Sequence, residues 1–158
     1  MALQLRRVIT GHDANGKARV MIDEVARHAF VGRPGATGIN VWTTEGFPAN
    51  NDGAEDAGLR KVGTTVPNGT IFRVLEFAPG LAARNHRTDS IDYIVVMSGE
   101  IDMELDDSVV HLKAGDVMVQ RGTIHNWVNR GTAPCQLAVI LIAAKPVEAG
   151  GKVLNAVG

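Results

Sequence analysis

The sequence predicts an all-β fold, either a sandwich or a barrel, from three observations. No amphipathic period of 3.6 residues extends over a useful length, which argues against long surface helices. About ten short apolar or alternating runs are separated by turn residues, and many of the 18 glycines lie between these runs. Gly99, Gly115 and Gly131 follow one another at intervals of sixteen residues, the spacing of strand pairs closed by glycine turns.

Length, charge and cysteine content indicate how many domains the chain forms, which partners are disfavoured, and in which compartment it is expected. A chain of 158 residues fits one domain with its own core. A net charge of −1 without a basic stripe argues against nucleic acid and anionic membranes as partners. The longest apolar run, 137–144, is too short to span a bilayer, and the N-terminus lacks the apolar segment of a secretory signal. One cysteine forms no internal disulfide, so we expect a cytoplasmic, reduced protein.

Residues 1–69 are expected to add strands and a loop to the same domain as the rest of the chain. Runs 5–9 and 18–22 flank strong turn residues and predict a hairpin. The glycine-rich segment 32–38 is predicted to be a loop. Segment 44–58 is polar and is the best candidate for a mobile loop, acting as a lid or, as we favour, as a tolerated insertion.

Residues 70–144 carry the sharpest strand pattern and are predicted to form the barrel core, with 145–158 as a C-terminal tail. Segment 100–106 alternates with a period of two, which places Ile101 and Met103 on the inward face. The intervening acids then face water and do not form a metal cluster: Glu100, Asp102 and Glu104.

The candidate functional residues lie between positions 80 and 129. His86 and Thr88 are two apart on an extended segment and therefore face the same way, and Asp92 follows after a bend. His125 comes from a later strand, after a sharp turn that Gly122 permits. If a barrel brings these strands together, His86, Asp92 and His125 can bind a divalent metal. Fe, Zn, Ni and Mn accept imidazole and carboxylate ligands, and two histidines with one carboxylate leave positions open for substrate, water or O₂.

Other side chains are candidates for completing a small-molecule pocket. Asn129 is expected to support His125 through a hydrogen bond. Arg84 and Arg73 can meet an anionic substrate. Aromatic and sulfur-containing side chains are candidates for the walls, although core packing is the alternative for each of them: Tyr93, Trp127 and Met103.

The two runs that carry these residues resemble the paired motifs of the cupin superfamily. The residues that match the first motif in spacing are Gly80, His86, Asp92 and Gly99, with aspartate in place of glutamate. The residues that match the second motif are Gly115, Gly122, His125 and Asn129, with one residue fewer after Gly115 and Gln120 in place of proline. Thr88 stands where the family has a second histidine, so the family's site of three histidines and one glutamate is excluded.

The resemblance covers roughly residues 70–144 and implies a double-stranded β-helix, the jelly-roll barrel of cupins, with extra N-terminal strands. It also implies a homodimer. For function, two possibilities remain. The first is a metal-dependent enzyme with dioxygenase, decarboxylase or isomerase chemistry on a small organic acid or an aromatic or enolic molecule. The alternative is a cupin that binds or senses a small molecule without metal or turnover. Beyond the metal ligands, no catalytic residue is assigned.

Overall fold

A computed structural model of the protein describes residues 3–158, and its regular structure is almost entirely β. The N-terminal third contains four strands: β1 (Arg6–His12), β2 (Ala18–Val25), β3 (Phe30–Arg33) and β4 (Ala36–Glu45). The middle contains seven: β5 (Gly69–Phe77), β6 (Ser90–Ser98), β7 (Glu100–Glu104), β8 (Val109–Lys113), β9 (Val117–Arg121), β10 (Asn126–Val128) and β11 (Cys135–Ala143). The C-terminal segment contains two: β12 (Val147–Ala149) and β13 (Lys152–Leu154). Within residues 3–158 the one helix is a 3₁₀ turn, Ala57–Leu59, and none is long and apolar enough to cross a membrane.

Two antiparallel sheets enclose the core, which confirms the predicted all-β class. The larger has six strands in the order β3-β4-β5-β11-β6-β9, and the smaller has the order β10-β7-β8. Ile71 and Leu137 from the larger sheet and Ile101, Met103 and Trp127 from the smaller one belong to one buried cluster. The burial of this apolar area is the main favourable contribution to folding.

The alternation of side chains sets the face of each strand, as the sequence predicts. On β7, Ile101 and Met103 are buried, while the acids between them lie on the outer face. On that face, Arg130 forms ion pairs with Asp102 and Glu104. The acids are therefore a surface charge network, and they lie outside the core.

Glycine permits the turn between β6 and β7. Gly99 has a φ of 74°, in the left-handed region that side chains with a Cβ rarely adopt. A Cβ at this position would lie 2.6 Å from the carbonyl oxygen of Pro134. At Gly99, therefore, glycine is required for both a conformational and a steric reason.

The N-terminal segment forms the predicted hairpin and one more that was not predicted. β1 pairs antiparallel with β2. Segment 32–38, predicted to be a loop, is instead the turn and flanks of a tight hairpin in which Arg33 pairs with Ala36 across Gly35. The short strand β3 contains a glycine, which hides its extended character in the sequence. This hairpin places Arg33 at the edge of the larger sheet.

Segment 44–58 is anchored at its C-terminal end. Asp56 forms an ion pair with the Arg7 guanidinium and caps the 3₁₀ turn through the Gly58 N–H, at 3.0 Å. Thr43 donates a hydrogen bond of 2.7 Å to the Ala57 carbonyl oxygen, and Ala57 is buried. These contacts hold the C-terminal end of the segment to the rest of the domain. They are compatible with either expectation, a lid or a tolerated insertion, provided that any movement is confined to the residues before Asp56.

The C-terminal tail is folded over the barrel. Strands β12 and β13 form a hairpin, and Val157 exchanges two backbone hydrogen bonds with Arg87. The extended segment predicted around His86 and Thr88 pairs with other segments only through isolated bridges at His86 and Arg87. Arg84 and His86, at or near these bridges, line a cavity inside the barrel.

Candidate functional site

A cavity of about 400 Å³ lies inside the barrel, a volume typical of small-molecule sites. Its apolar wall includes Phe77, Ile94 and Trp127. Polar side chains enter this apolar space from several strands: His86, Thr88, Asp92, Gln120, His125 and three arginines. Apolar surface with a few convergent polar groups is the usual composition of a binding or catalytic site.

His86 and His125 face each other across an isolated antiparallel bridge. The His86 N–H donates to the His125 carbonyl oxygen at 3.0 Å, and the reverse bond measures 2.9 Å. The imidazole rings lie 4.2 Å apart between centroids, with an interplanar angle of 49°. Gly122, with a φ of 61°, lets the chain turn just before His125. The two predicted histidines are therefore brought together by the backbone itself.

Hydrogen bonds to the backbone fix the tautomer of both imidazoles. His86 Nδ1 lies 3.1 Å from the Arg84 carbonyl oxygen, and His125 Nδ1 lies 3.0 Å from that of Thr123. A carbonyl oxygen only accepts, so each Nδ1 carries the hydrogen. Each Nε2 therefore presents a lone pair when the ring is neutral. This arrangement is the one that metal-binding histidines adopt.

Burial keeps both imidazoles neutral near pH 7. Burial lowers the pKa of His125 to about 4, and the nearby charges of His86, Arg84 and Arg33 act in the same direction. Burial also lowers the pKa of His86, helped by the same two arginines. Neutral imidazole is the form that binds a metal or accepts a proton.

Asp92 lies in the same cavity and is bound to a hydroxyl chain. Ser90 Oγ donates to the Asp92 carboxylate at 2.6 Å, so Thr88 Oγ1, 2.8 Å from Ser90 Oγ, donates in turn to Ser90. Burial raises the pKa of Asp92, whereas the Ser90 hydrogen bond and the charge of Arg73 oppose that rise. Thr88, in the place of the family's second histidine, thus supports the carboxylate through Ser90.

The donor set fits a divalent metal in part. Two neutral imidazoles with free Nε2 lone pairs are suitable ligands for Fe, Zn, Ni or Mn. Within residues 3–158, no group of three or more His, Cys, Asp or Glu side chains lies close enough together to hold a metal ion. The structure therefore brings two of the three predicted ligands together. The third, Asp92, has the shorter carboxylate side chain and is bound to Ser90.

Comparison with known proteins assigns the family. The sequence profile of the Cupin domain, Cupin_2, matches residues 73–141. The cupin-domain-containing oxidoreductase fogC of Aspergillus ruber is 32% identical over 154 residues, an alignment that covers 92% of this chain and 76% of fogC. The chain belongs to the cupin-domain family.

Two further likenesses concern length and fold. Phomopsin biosynthesis cluster protein C' of Diaporthe leptostromiformis is 46% identical over 97 residues, which is 60% of this cupin and 51% of that protein. This cupin thus matches about half the length of that relative. The solved structure of the polyketide cyclase RemF from Streptomyces resistomycificus superposes with a TM-score of 0.54 at 17% identity, covering 80% of this chain and 82% of RemF. That likeness shows the shared double-stranded β-helix fold.

The structure places some of this cupin's predicted pocket residues in the cavity and others outside it. Trp127, Arg84 and Thr88 line the cavity, as expected. Tyr93 is 49% exposed on the outer face of β6, because it follows the inward-facing Asp92 directly. Met103 belongs to the core beside the cavity.

Asn129 also has a different role in this cupin from the predicted one. Its Nδ2 donates to the carbonyl oxygens of Phe77 and Ala133, and its Oδ1 accepts from the Gly131 N–H. The side chain therefore stabilises the loop before β11 and makes no hydrogen bond to His125.

Arg33 and Gln120 line the cavity and Ser90 binds Asp92 there, but the sequence indicated no functional role for any of the three. Ser90 and Gln120 have a usable signal, since each is two residues from another inward-facing position on its strand, Asp92 and Met118 respectively. Arg33 has no such signal, because its position depends on the hairpin of β3 and β4.

The low pKa of His125 predicts acid sensitivity in this cupin. The unfolded imidazole titrates near 6.5 and the folded one at about 4, so the unfolded state binds more protons between these values. The free energy of unfolding should therefore fall by up to about 3 kcal/mol as the pH drops from 6.5 to 4, and His125 adds no further slope below pH 4.

This dependence is measured by urea unfolding across that pH range with EDTA present. His125→Gln should flatten the slope, and His12→Gln, which removes an exposed histidine, should leave it unchanged. Equal slopes in wild type and His125→Gln would contradict the assignment.

Proposed function

We propose that this cupin is a metal-dependent enzyme that acts on a small organic acid or an aromatic or enolic molecule. The observation that carries the proposal is the pair of buried, neutral imidazoles with fixed Nδ1–H groups and Nε2 lone pairs in an apolar cavity. Histidines in a cavity whose pKa is perturbed by burial are a usual mark of a functional site.

In this proposal His86 and His125 hold a divalent metal through Nε2. When bound, the metal supplies Lewis acidity at an oxygen of the substrate, and Fe(II) would add reactivity toward O₂. The apolar wall excludes water, and the backbone carbonyls of Arg84 and Thr123 keep both rings in the ligand orientation. Asp92 becomes a third ligand if its carboxylate leaves Ser90.

Among the chemistries that the resemblance implies, an oxidoreductase reaction is favoured. The relatives fogC and virC, the latter from Hypocrea virens, are both named cupin-domain-containing oxidoreductases and are each 32% identical to this chain. Decarboxylation and isomerisation use the same kind of metal site and remain the alternatives.

The proposal predicts stoichiometric metal binding that depends on both histidines. Purified protein is analysed for metal content and then titrated anaerobically with Fe(II), Zn, Ni and Mn. We expect one metal per chain in wild type and an affinity weaker by about 100-fold or more in His86→Ala and His125→Ala. His12→Ala is the control and should bind as wild type does, because His12 is exposed on the N-terminal hairpin.

Asp92→Asn decides the role of the carboxylate, since a ligand lost at this position weakens metal binding whereas a supporting residue does not. The absence of binding by all four metals in wild type would overturn the metal-dependent function.

A second function, a cupin that binds a small molecule without metal or turnover, is supported by one specific observation. Only two of the candidate ligands approach each other closely in residues 3–158. Under this alternative the histidines act as hydrogen-bonding groups, and the metal titration that overturns the enzyme would favour it.

A further inference from the structure

One edge of the Arg33 guanidinium is buried in the cavity without a partner. Its Nε and Nη2 atoms are both inaccessible to solvent and make no hydrogen bond to any residue in 3–158. These two atoms form the side of the guanidinium that binds both oxygens of a carboxylate at once. Leaving such donors unpaired in the interior is costly, so a ligand that satisfies them gains affinity.

The same edge binds carboxylates elsewhere in this chain. Arg6 donates from Nε and Nη2 to the two oxygens of Asp23, at 2.7 and 2.8 Å. Arg60 donates from the same two atoms to Glu55, at 3.0 and 2.7 Å. Arg33 lines the cavity, and its equivalent fork is bound to no side chain in residues 3–158.

The charge of the cavity favours an anion. Three arginines line it, Asp92 is the one carboxylate in the lining, and both histidines are neutral. Asp92 attracts Arg73, and Arg84 donates at 2.6 Å to the carbonyl oxygen of Gly158. The Arg33 side chain has no carboxylate that attracts it, and its Nε and Nη2 donate no hydrogen bond in residues 3–158. Burial and the charge of Arg84 lower its pKa, and no acidic group opposes that change.

We propose that Arg33 is the specificity-determining residue of the cavity and binds the carboxylate of an aromatic or similarly flat unsaturated acid through Nε–H and Nη2–H. The acid is the substrate only if the enzymatic function proposed above holds, whereas its binding does not depend on metal. The ring of Phe77 lies under the Arg33 guanidinium at 5.9 Å and stacks against Trp127, with centroids 6.2 Å apart. These rings provide an apolar surface next to the carboxylate position.

Gln120 adds a second polar contact for the bound acid. Its side chain is 3% exposed, and both its Oε1 and its Nε2 lack a hydrogen-bond partner in residues 3–158. An amide with both groups free can accept from a hydroxyl and donate to a carbonyl. A hydroxyl or keto group on the acid therefore adds affinity when it reaches Gln120.

The test compares two probes of the same shape, trans-cinnamate and trans-cinnamamide. Binding is measured by calorimetry with EDTA-treated protein, so that metal does not contribute. Wild type should bind the carboxylate roughly 10- to 100-fold more tightly than the amide. Arg33→Gln should abolish the preference, and Arg33→Lys, which keeps the charge but loses the fork, should retain only part of it. Arg121→Gln removes an exposed arginine of β9 and should change nothing.

Equal affinity for both probes, no binding of cinnamate at millimolar concentration, or a preserved preference in Arg33→Gln would each overturn the proposal. Arg33→Met is a second variant that is expected to stay folded, so that a lost preference cannot be attributed to misfolding. It replaces an uncompensated buried cation by an apolar side chain of similar length, and should raise the thermal midpoint while removing the preference.

The outcome is separable from that of the metal titration. A carboxylate preference in wild-type protein that binds none of the four metals would support the Arg33 assignment and count against the metal-dependent function. Metal binding without a carboxylate preference would have the opposite meaning. A preference that persists in His86→Ala would show that the carboxylate is bound without the metal, and it leaves the metal-dependent function intact.

Discussion

Replacing Arg7 by alanine is expected to lower the free energy of unfolding by about 2–4 kcal/mol. The Arg7 side chain is 1% exposed, and it forms ion pairs with Glu24 and Asp56. The substitution leaves the Asp56 carboxylate without its main partner and removes the buried methylene groups of the arginine. The estimate stays below that for a fully buried pair, because both acids keep some contact with solvent. Urea unfolding of the two proteins at pH 7 measures the difference.

Arg6→Ala is a matched control on the neighbouring position of the same strand. Arg6 also binds an acid with two hydrogen bonds, but the Arg6–Asp23 pair is exposed, so Arg6→Ala should lower the free energy of unfolding far less than Arg7→Ala. Because Asp56 connects Arg7 to segment 44–58, Arg7→Ala should also make that segment more sensitive to proteolysis in the native state. Equal destabilisation by the two substitutions would contradict the buried role of Arg7.

Trp127→Ala is expected to cost about 3–5 kcal/mol, the range for deleting a large buried aromatic side chain. Trp127 is 6% exposed, stacks on Phe77, and meets the His125 ring edge-on at 6.1 Å with an interplanar angle of 82°. It belongs to the core and to the cavity wall at the same time. The substitution should therefore both destabilise the fold and weaken the binding of an aromatic ligand.

Trp42→Ala is the matched control, because it removes a tryptophan that does not line the cavity. Trp42 is only partly buried on β4 and lies outside the cavity, so its deletion should cost less and leave ligand binding unchanged. In a Trp42→Phe background, the fluorescence of Trp127 becomes a direct reporter of cavity occupancy. A Trp127→Ala protein as stable as Trp42→Ala would contradict the packing of Trp127 against Phe77 and His125.

The local pattern of the sequence was sufficient for the fold class and for the faces of the strands. Period-two alternation correctly placed Ile101 and Met103 in the core, and the same rule, applied to Asp92, would have placed Tyr93 outside. Sequence spacing also identified His86 and His125, because the turn at Gly122 and the extended segment around His86 are local features. These successes share a physical basis, since they depend on residues close together in the chain.

Contacts between distant segments could not be predicted in the same way. The β3–β4 hairpin brings Arg33 to a cavity whose other walls include residues of β5, β6, β9, β10 and β11. Segment 44–58 has the composition of a mobile loop, yet its end is held by Arg7, 49 residues from Asp56 in the chain.

By itself, the sequence determined an all-β chain, the strand faces and a pair of histidines that converge. Only the tertiary structure decided which other groups surround those histidines in the cavity. It fixed their tautomers with backbone carbonyls, left Asp92 bound to Ser90, and placed the unpaired fork of Arg33 in the same cavity. The reason is that the charge of a buried site, and the hydrogen-bond partners of its polar groups, depend on side chains from all the strands around it. Most of these strands are distant from one another in the sequence.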